Sequence, residues 1–344
     1  MIEINGEAGG QVLRTSIGLS SLTGKQVKIS SIRTNRPNPG LQAQHLTGLQ
    51  SVARICGAQV NWARLNSKEV FFSPRETRQT KLAVNVGTAG STSLVLQPVL
   101  FPALQEKIEL RVQGGTDVKW APSHNYLSEV LFPKLKAMGA KFECKLIKPG
   151  FYPKGNGAIS FKSLPAQLPL KPINLIELGE LQFIKIFSQC ASLPKEVATN
   201  QAASAKKQLA SLNIDFEEKI NSIESTETIG SSIDVLAFFS SGAVLGANAL
   251  GEKGKPSERV GKEAAQKLLE ELAAKAPVDR HLSDQLIPFM ALAKGKSEIS
   301  CTNLTEHALN NIAVCEKILG VSFEVKGELG NKAEISVEGL GFNC

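Results

Sequence analysis

Two signals that often settle a protein's setting are missing from this chain. No apolar run approaches the ~18–20 residues a membrane-spanning helix needs. The first residues, Met1 to Glu7, lack the basic and apolar regions of a secretory leader. The expectation is a cytoplasmic protein with no membrane partner. No CxxC pair occurs among the six scattered cysteines, Cys56, Cys144, Cys190, Cys301, Cys315 and Cys344. That speaks against a zinc site and for free thiols, four of them in apolar segments as small hydrophobes. The stretch Val86-Gly87-Thr88-Ala89-Gly90-Ser91-Thr92-Ser93 opens a helix as a phosphate cradle does, but it has no Walker lysine and is not a P-loop. Extensive disorder is excluded as well, because 42% hydrophobic and 21% charged residues are ordinary globular composition. What is present begins with length: 344 residues suit two domains, or one large domain with an insert. The formal charge of +7 favours a polyanionic partner, nucleic acid among them.

One phrase occurs three times: a polar start, a helical run, and a glycine turning into a strand. It begins at His45 and ends on Gly57-Ala58-Gln59-Val60. It recurs from His124 to Gly139-Ala140-Lys141-Phe142, and again from His307 to Gly320-Val321-Ser322-Phe323. Apolar residues fall every three or four positions, and the glycine stands where a helix closes with positive φ. A second kind of helix precedes each phrase, from Gly9 to Leu22, Gly90 to Leu100 and His281 to Leu292, each followed by a strand. The unit therefore reads helix, strand, helix, strand, strand. The first two copies fill about 1–165, and the third begins only near 278.

Between them lies a stretch of different character. It has strands at Phe183–Cys190, near Ile214–Ile223 and at Ile233–Ser240, helices at Lys195–Leu212 and Glu258–Lys275, and a glycine-rich loop at Gly242–Gly254. This predicts a small α/β domain, 183–277, inserted between the second and third repeats. The large domain is then 1–182 and 278–344, with Pro165–Pro172 as connector.

Five clusters carry candidate chemistry. Glu7-Ala8-Gly9-Gly10-Gln11-Val12-Leu13-Arg14 sets two glycines and an arginine at a helix start, a geometry that suits an anion. Ser31 to His45 holds Arg33 and Arg36 in a proline-rich turn, and the guanidinium fork matches phosphate oxygens. The Gly87–Ser93 stretch is the third. Lys148 to Gly157 is a glycine-and-proline turn of the kind that joins two strands. Thr305-Glu306-His307 opens an amphipathic helix with Thr305 as its N-cap.

Taken in order, these clusters resemble the RNA 3′-terminal phosphate cyclase family over essentially the whole chain. The family's E-G-G-G-Q-x-L-R is Glu7 to Arg14, and its S-I-R-x-x-R-x-x-P-G-L, leading to Q-H-L, is Ser31 to Leu46. Its A-G-S stretch with a downstream glutamine is Thr88 to Gln97, and its G-G-T-D is Gly114 to Asp117. The glycine signature is Gly150 to Gly157. The H-x-x-D-Q and the helix-start histidine are His281 to Gln285 and His307. Departures are Ala8 for a glycine, Asn156 for a glycine (asparagine tolerates positive φ), Pro149 for a basic residue and Asn310 for a threonine.

The resemblance implies an α/β (α+β) fold of three units like the C-terminal domain of bacterial initiation factor three, plus a small inserted domain. It also implies that His307 attacks the α-phosphorus of ATP to form a covalent histidine–AMP. AMP then passes to an RNA 3′-phosphate, and the 2′-hydroxyl closes a 2′,3′-cyclic phosphate. Gln97, His281, Leu282, Ser283, Asp284 and Gln285 would hold the nucleotide, and Arg14, Arg33, Arg36, Gln44 and His45 the RNA phosphate. Glu7 would hold a divalent cation, magnesium or manganese, and His45 is the next candidate nucleophile. Because every matching cluster lies outside 183–277, the insert is expected to contribute little to AMP attachment, and its lysines Lys206, Lys207, Lys262, Lys267 and Lys275 to form solvated faces. The alternatives are a non-catalytic relative acting in ribosome assembly, whose branch lacks the histidine, and an enolpyruvyl transferase, generally built of six repeats.

Overall fold

The computed structural model of the chain describes residues 1–76, 78–224 and 227–343. The first unit runs β1 (Ile2–Asn5), α1 (Gly10–Thr23), β2 (Val27–Ser30), α2 (Ala43–Ile55), β3 (Gln59–Asn61) and β4 (Val70–Ser73), with sheet order β1-β2-β4-β3. The second unit repeats it with β5 (Lys81–Asn85), α3 (Thr92–Leu96), β6 (Glu109–Gly114), a broken helix, β7 (Lys141–Lys148) and β8 (Gly157–Leu164), in order β5-β6-β8-β7. The broken helix is α4 (His124–Tyr126), a π-helical turn (Leu127–Leu131) and α5 (Phe132–Met138). Pro133 in the first turn of α5 has no N–H to give the preceding turn, which accounts for the irregular ladder.

Each unit therefore opens with a strand that the sequence pattern did not reveal, paired parallel to the strand after its first helix. In the third unit this is β9 (Asn174–Leu175), two residues long and joined to β14 (Lys294–Cys301). The third unit thus begins before the foreign segment, not after it. The chain leaves after β9, forms β10 (Leu181–Ala191), α6 (Lys195–Leu209), β11 (Asp215–Ile223), β12 (Gly230–Phe239), β13 (Val244–Leu250) and α7 (Ser257–Ala273), then returns. Return brings α8 (Arg280–Leu292), β14, α9 (Glu306–Leu319), β15 (Phe323–Lys326) and β16 (Ala333–Leu340), with sheet order β15-β16-β14-β9.

The inserted sheet, β11-β10-β12-β13, corrects the expected loop at Gly242–Gly254, since β13 pairs with β12 from Phe238↔Val244 to Ser232↔Leu250. Gly242 and Gly254, at φ 81° and 82°, do lie in turns on either side of β13, but Gly246 marks close approach: a Cβ on it would stand 2.9 Å from the Tyr126 ring. Strand alternation divides this sheet's faces. Ile184, Ile186, Ile233, Val235, Ala237 and Leu245 pack with α6 and α7 in a core of their own. Phe187, Leu236 and Val244, on the other face, join the core of the three units.

Within that larger core, α9 packs on α1 and α8 on α9, so elements far apart in sequence meet. Thr305 caps α9 as expected, accepting from the Ala308 N–H. Asn156 takes φ 58° in the loop between β7 and β8. The described cysteines, Cys56, Cys144, Cys190, Cys301 and Cys315, are buried free thiols, and Cys344 lies outside the described residues. Among the described residues no helix is long and apolar enough to cross a membrane.

Candidate active site

A cavity of about 380 Å³ opens where the three units and the insert meet. Unit one supplies Gln11 and Arg14 from the first two turns of α1, and unit two supplies Gln97 just past α3. Unit three supplies His281, Asp284 and Gln285 from α8, and His307 and Asn311 from α9. The helical repeat accounts for the α8 set, since 281, 284, 285 and 288 share a face. Leu282 and Ser283 lie on the opposite side, both fully buried, with the Ser283 hydroxyl donating to the Arg280 carbonyl. Of the five residues of this helix expected to hold a nucleotide, three line the cavity.

Amide and guanidinium groups chain these side chains together. Arg14 Nε donates to Gln97 Oε1 at 2.8 Å, Gln97 Nε2 to Gln285 Oε1 at 3.3 Å, and Gln285 Nε2 to the His281 carbonyl at 2.8 Å. Beneath His307, Gln11 Nε2 donates to its carbonyl at 3.3 Å. Asn311 bridges α1 and α8, accepting from the Thr15 hydroxyl at 2.8 Å and donating to the Asp284 carbonyl at 2.6 Å. The apolar floor includes Leu100 and the stacked rings of Phe101 and Phe289, 5.2 Å between centroids. An aromatic base has a dry seat there, with polar anchors around it.

Electrostatics set the charge states. Burial pushes Arg14 down to about 10, so it stays a cation at neutral pH. Burial lifts Asp284 to about 8 against the pull of Arg14, so its carboxyl is largely protonated near pH 7 and adds no negative charge. The His307 imidazole, at the cavity rim, is held below the usual histidine value by desolvation first, and then by Arg14 and Arg36. It is a neutral, accessible imidazole at the second position of α9.

Arg33, Arg36, Gln44, His45 and Glu7 do not line the cavity; they form the ground beside it. Arg36 Nη2 donates to the Ala8 carbonyl at 3.2 Å, and Arg33 Nη1 to the carbonyls of Asn38 and Gly40. Ser31 and Arg33 take φ 53° and 57°, so the loop is held in an unusual path. Gln44 Oε1 accepts from the Ser91 N–H at 2.7 Å, tying this loop to the start of α3. His45 is 5% exposed, its Nδ1 accepting from the Gln42 N–H, and burial holds it down to about 3. Its ring packs closely over Gly10 and is far less accessible than that of His307. Glu7 is half-buried at the approach to α1, and among the described residues no cluster of three potential metal ligands forms.

The insert borders the cavity as well. Gly246, Ala247 and Asn248 of β13 and Lys267 of α7 line one wall of the cavity. Lys267 donates to the Asn248 carbonyl at 3.1 Å and to Glu263 at 3.0 Å; it is exposed, as expected, and borders the cavity as well. Sequence reasoning also missed Asp279. Its carboxylate is fully buried and accepts from the Tyr126 hydroxyl at 2.6 Å, the N–H groups of His281 and Leu282 at 2.9 Å, and the Gly246 N–H at 3.0 Å. It caps α8 and fastens it to unit two and to the insert. An aspartate just before the first apolar-periodic residue was the available signal.

Comparison with known proteins adds independent information. The family model for RNA 3′-terminal phosphate cyclase matches residues 5–325. The RNA 3′-terminal phosphate cyclase of Pyrococcus furiosus is 40% identical over 336 residues, 96% of each chain. That of Pyrobaculum aerophilum is 40% identical over 98% of this chain and 97% of its own, and that of Methanosarcina acetivorans 41% over 98% and 100%. Among solved structures, the enolpyruvyl transferase NikO from Streptomyces tendae aligns at TM-score 0.41 and 10% identity, covering 98% of this chain and 48% of that one.

Proposed function

The chain belongs to the RNA 3′-terminal phosphate cyclase family, and from that membership we propose that it converts an RNA 3′-phosphate to a 2′,3′-cyclic phosphate at the expense of ATP. The observation that carries the proposal is the neutral His307 imidazole at the rim of a cavity shared with Arg14, Gln97, Asp284 and Gln285.

A 3′-phosphate has no good leaving group, so direct attack by the 2′-hydroxyl is blocked until one is installed. A ring nitrogen of His307 attacks the α-phosphorus of ATP; the bond to the β-phosphate bridge breaks and pyrophosphate leaves. An oxygen of the RNA 3′-phosphate then attacks the phosphorus of the histidine–AMP, and the P–N bond breaks to return the imidazole. Finally the 2′-oxygen attacks the terminal RNA phosphorus, loses its proton and expels AMP. Displacements at phosphorus gain most from positioning and positive charge. Arg14 supplies a cation inside the cavity, and Arg33 and Arg36 supply two beside it. The N-terminus of α9, where His307 sits, favours the phosphate it receives.

Protonation of Asp284 keeps the wall from repelling the polyphosphate. The apolar floor takes the adenine, and Gln97 and Gln285 offer amides to it. One carboxylate, Glu7, fits magnesium or manganese carried in with nucleotide phosphates, because such ions usually keep water and phosphate ligands and need few protein carboxylates. When bound, the ion neutralises phosphate charge. Intact-mass measurement after incubation with ATP and magnesium is the test. One added AMP, removed by an RNA 3′-phosphate with formation of the cyclic end, is expected; an unmodified chain sinks the proposal.

A further inference from the structure

The cavity mouth carries a group that the chemistry above leaves unused. Trp120 is 94% exposed, in a fold that buries most of its large side chains, and its backbone sits at φ 62°, where a bulky residue is strained. It borders the cavity that holds His307. The loop carrying it is anchored behind, where the Thr116 and Asp117 N–H groups donate to the Gly150 carbonyl at 2.8 and 3.2 Å. That same pairing, extended by a bridge between Asp117 and Phe151, sets the loop alongside the one bearing Tyr152, which is 79% exposed. Lys119, which pairs with Glu252 at 3.3 Å, and Lys154 neighbour the two rings in sequence and are exposed as well.

We propose that Trp120 and Tyr152 form a stacking platform for the last bases of the RNA strand, which leads its 3′-phosphate into the cavity. The proposal rests on the function proposed above and names how that substrate is held. Aromatic faces bind bases of any identity, and lysines beside them follow the backbone, which suits an enzyme that acts on an end. Adenine is the rival occupant, and two observations set it aside. The enclosed floor of Leu100, Phe101 and Phe289 already offers the nucleotide's base a dry seat. A second exposed ring on the adjoining loop has no use for a mononucleotide but suits a longer strand.

The chain has two tryptophans, so Trp62→Phe, in the bend just past β3 and away from the cavity, leaves Trp120 as sole reporter. Titrating this variant with a short 3′-phosphorylated oligonucleotide should quench its fluorescence, whereas ATP alone should leave it nearly unchanged. Trp120→Ala should raise KM for RNA on the order of tenfold, with a far smaller effect on AMP attachment, and Trp120→Phe should recover most of the loss. Tyr152→Ala should do the same more weakly. Quenching by ATP with a raised KM for ATP would make Trp120 an adenine contact and overturn the proposal. So would unchanged KM for both substrates. A chain that never acquires AMP, yet whose Trp120 is still quenched by the oligonucleotide, would overturn the adenylyl mechanism and support the platform.

Discussion

At the scale of single residues, accessibility and charge separate the chemistry-bearing groups from those that hold them. His307 presents its ring at the rim, while its carbonyl, not its side chain, receives the Gln11 bond. His307→Ala should therefore end AMP attachment and cost less than about 1 kcal/mol of stability, checked by intact mass and by circular dichroism melting. The same residue predicts a pH profile. Desolvation and two arginines lower its pKa, so the neutral nucleophile persists below the ordinary histidine value near 6.5, and the acid limb of AMP attachment should fall below that value. Single-turnover rates across pH 5–8 with limbs centred above about 6.5 would contradict this. Asp279 is the opposite case, touching no part of the cavity surface but holding four donors. Asp279→Ala removes a cap and strands buried donors, at a cost of about 2–4 kcal/mol in urea unfolding.

At the scale of elements, the insert is a wall and not an appendage. Its β12 carries Asp234, which accepts from Ser123 at 2.6 Å and Asn125 at 2.8 Å in unit two. In return Asp117 of unit two accepts from Gln189 at 3.0 Å and Ser232 at 2.8 Å. Joining Leu181 to Pro277 by a glycine linker would strand these buried groups and bare Tyr126 and Phe151. The shortened chain should fail to take AMP, and should melt at a lower temperature if it folds at all. Normal labelling would return the insert to the dispensable role its sequence suggested. The interface also carries a pH signature. Burial, then repulsion from Asp117, lifts Asp234 to about 7 from 3.8, so folding favours its protonated form. A raised folded pKa contributes stability that is full below the unfolded value and lost as pH rises through about 7. Between pH 4 and 8, Asp234→Asn should therefore lose less stability than the parent chain, read as the difference in Tm at each pH.

For the whole molecule, the inserted sheet decides cooperativity. Its β12 is buried almost without interruption, one face in the core with α6 and α7 and the other against the three units. Neither core can come apart without exposing that sheet. Heating should give one transition by calorimetry with coincident near- and far-ultraviolet dichroism. Two separated transitions would mean that the sheet's outer face contributes little.

The sequence by itself determined the repeat, most of the helices, the Thr305 cap and the residues that resemble a cyclase, because helix periodicity, glycine stops and motif order are local properties. Thr305, Asn156 and Gly320 could be read as structure from their neighbours alone. It did not reveal β1, β5 and β9, since strands of two to five residues at a sheet edge leave too few positions for alternation to register. It misjudged β13, where Gly246 serves the approach of Tyr126 and not a turn. Motif order gathered His307 with Arg14, Gln97 and Gln285, but it could not say which residues of 281–285 face inward, that His45 is buried, or that the insert closes a wall. Those outcomes depend on which faces of α1, α8, α9 and β13 meet, and packing between segments hundreds of residues apart leaves no periodic trace in the chain.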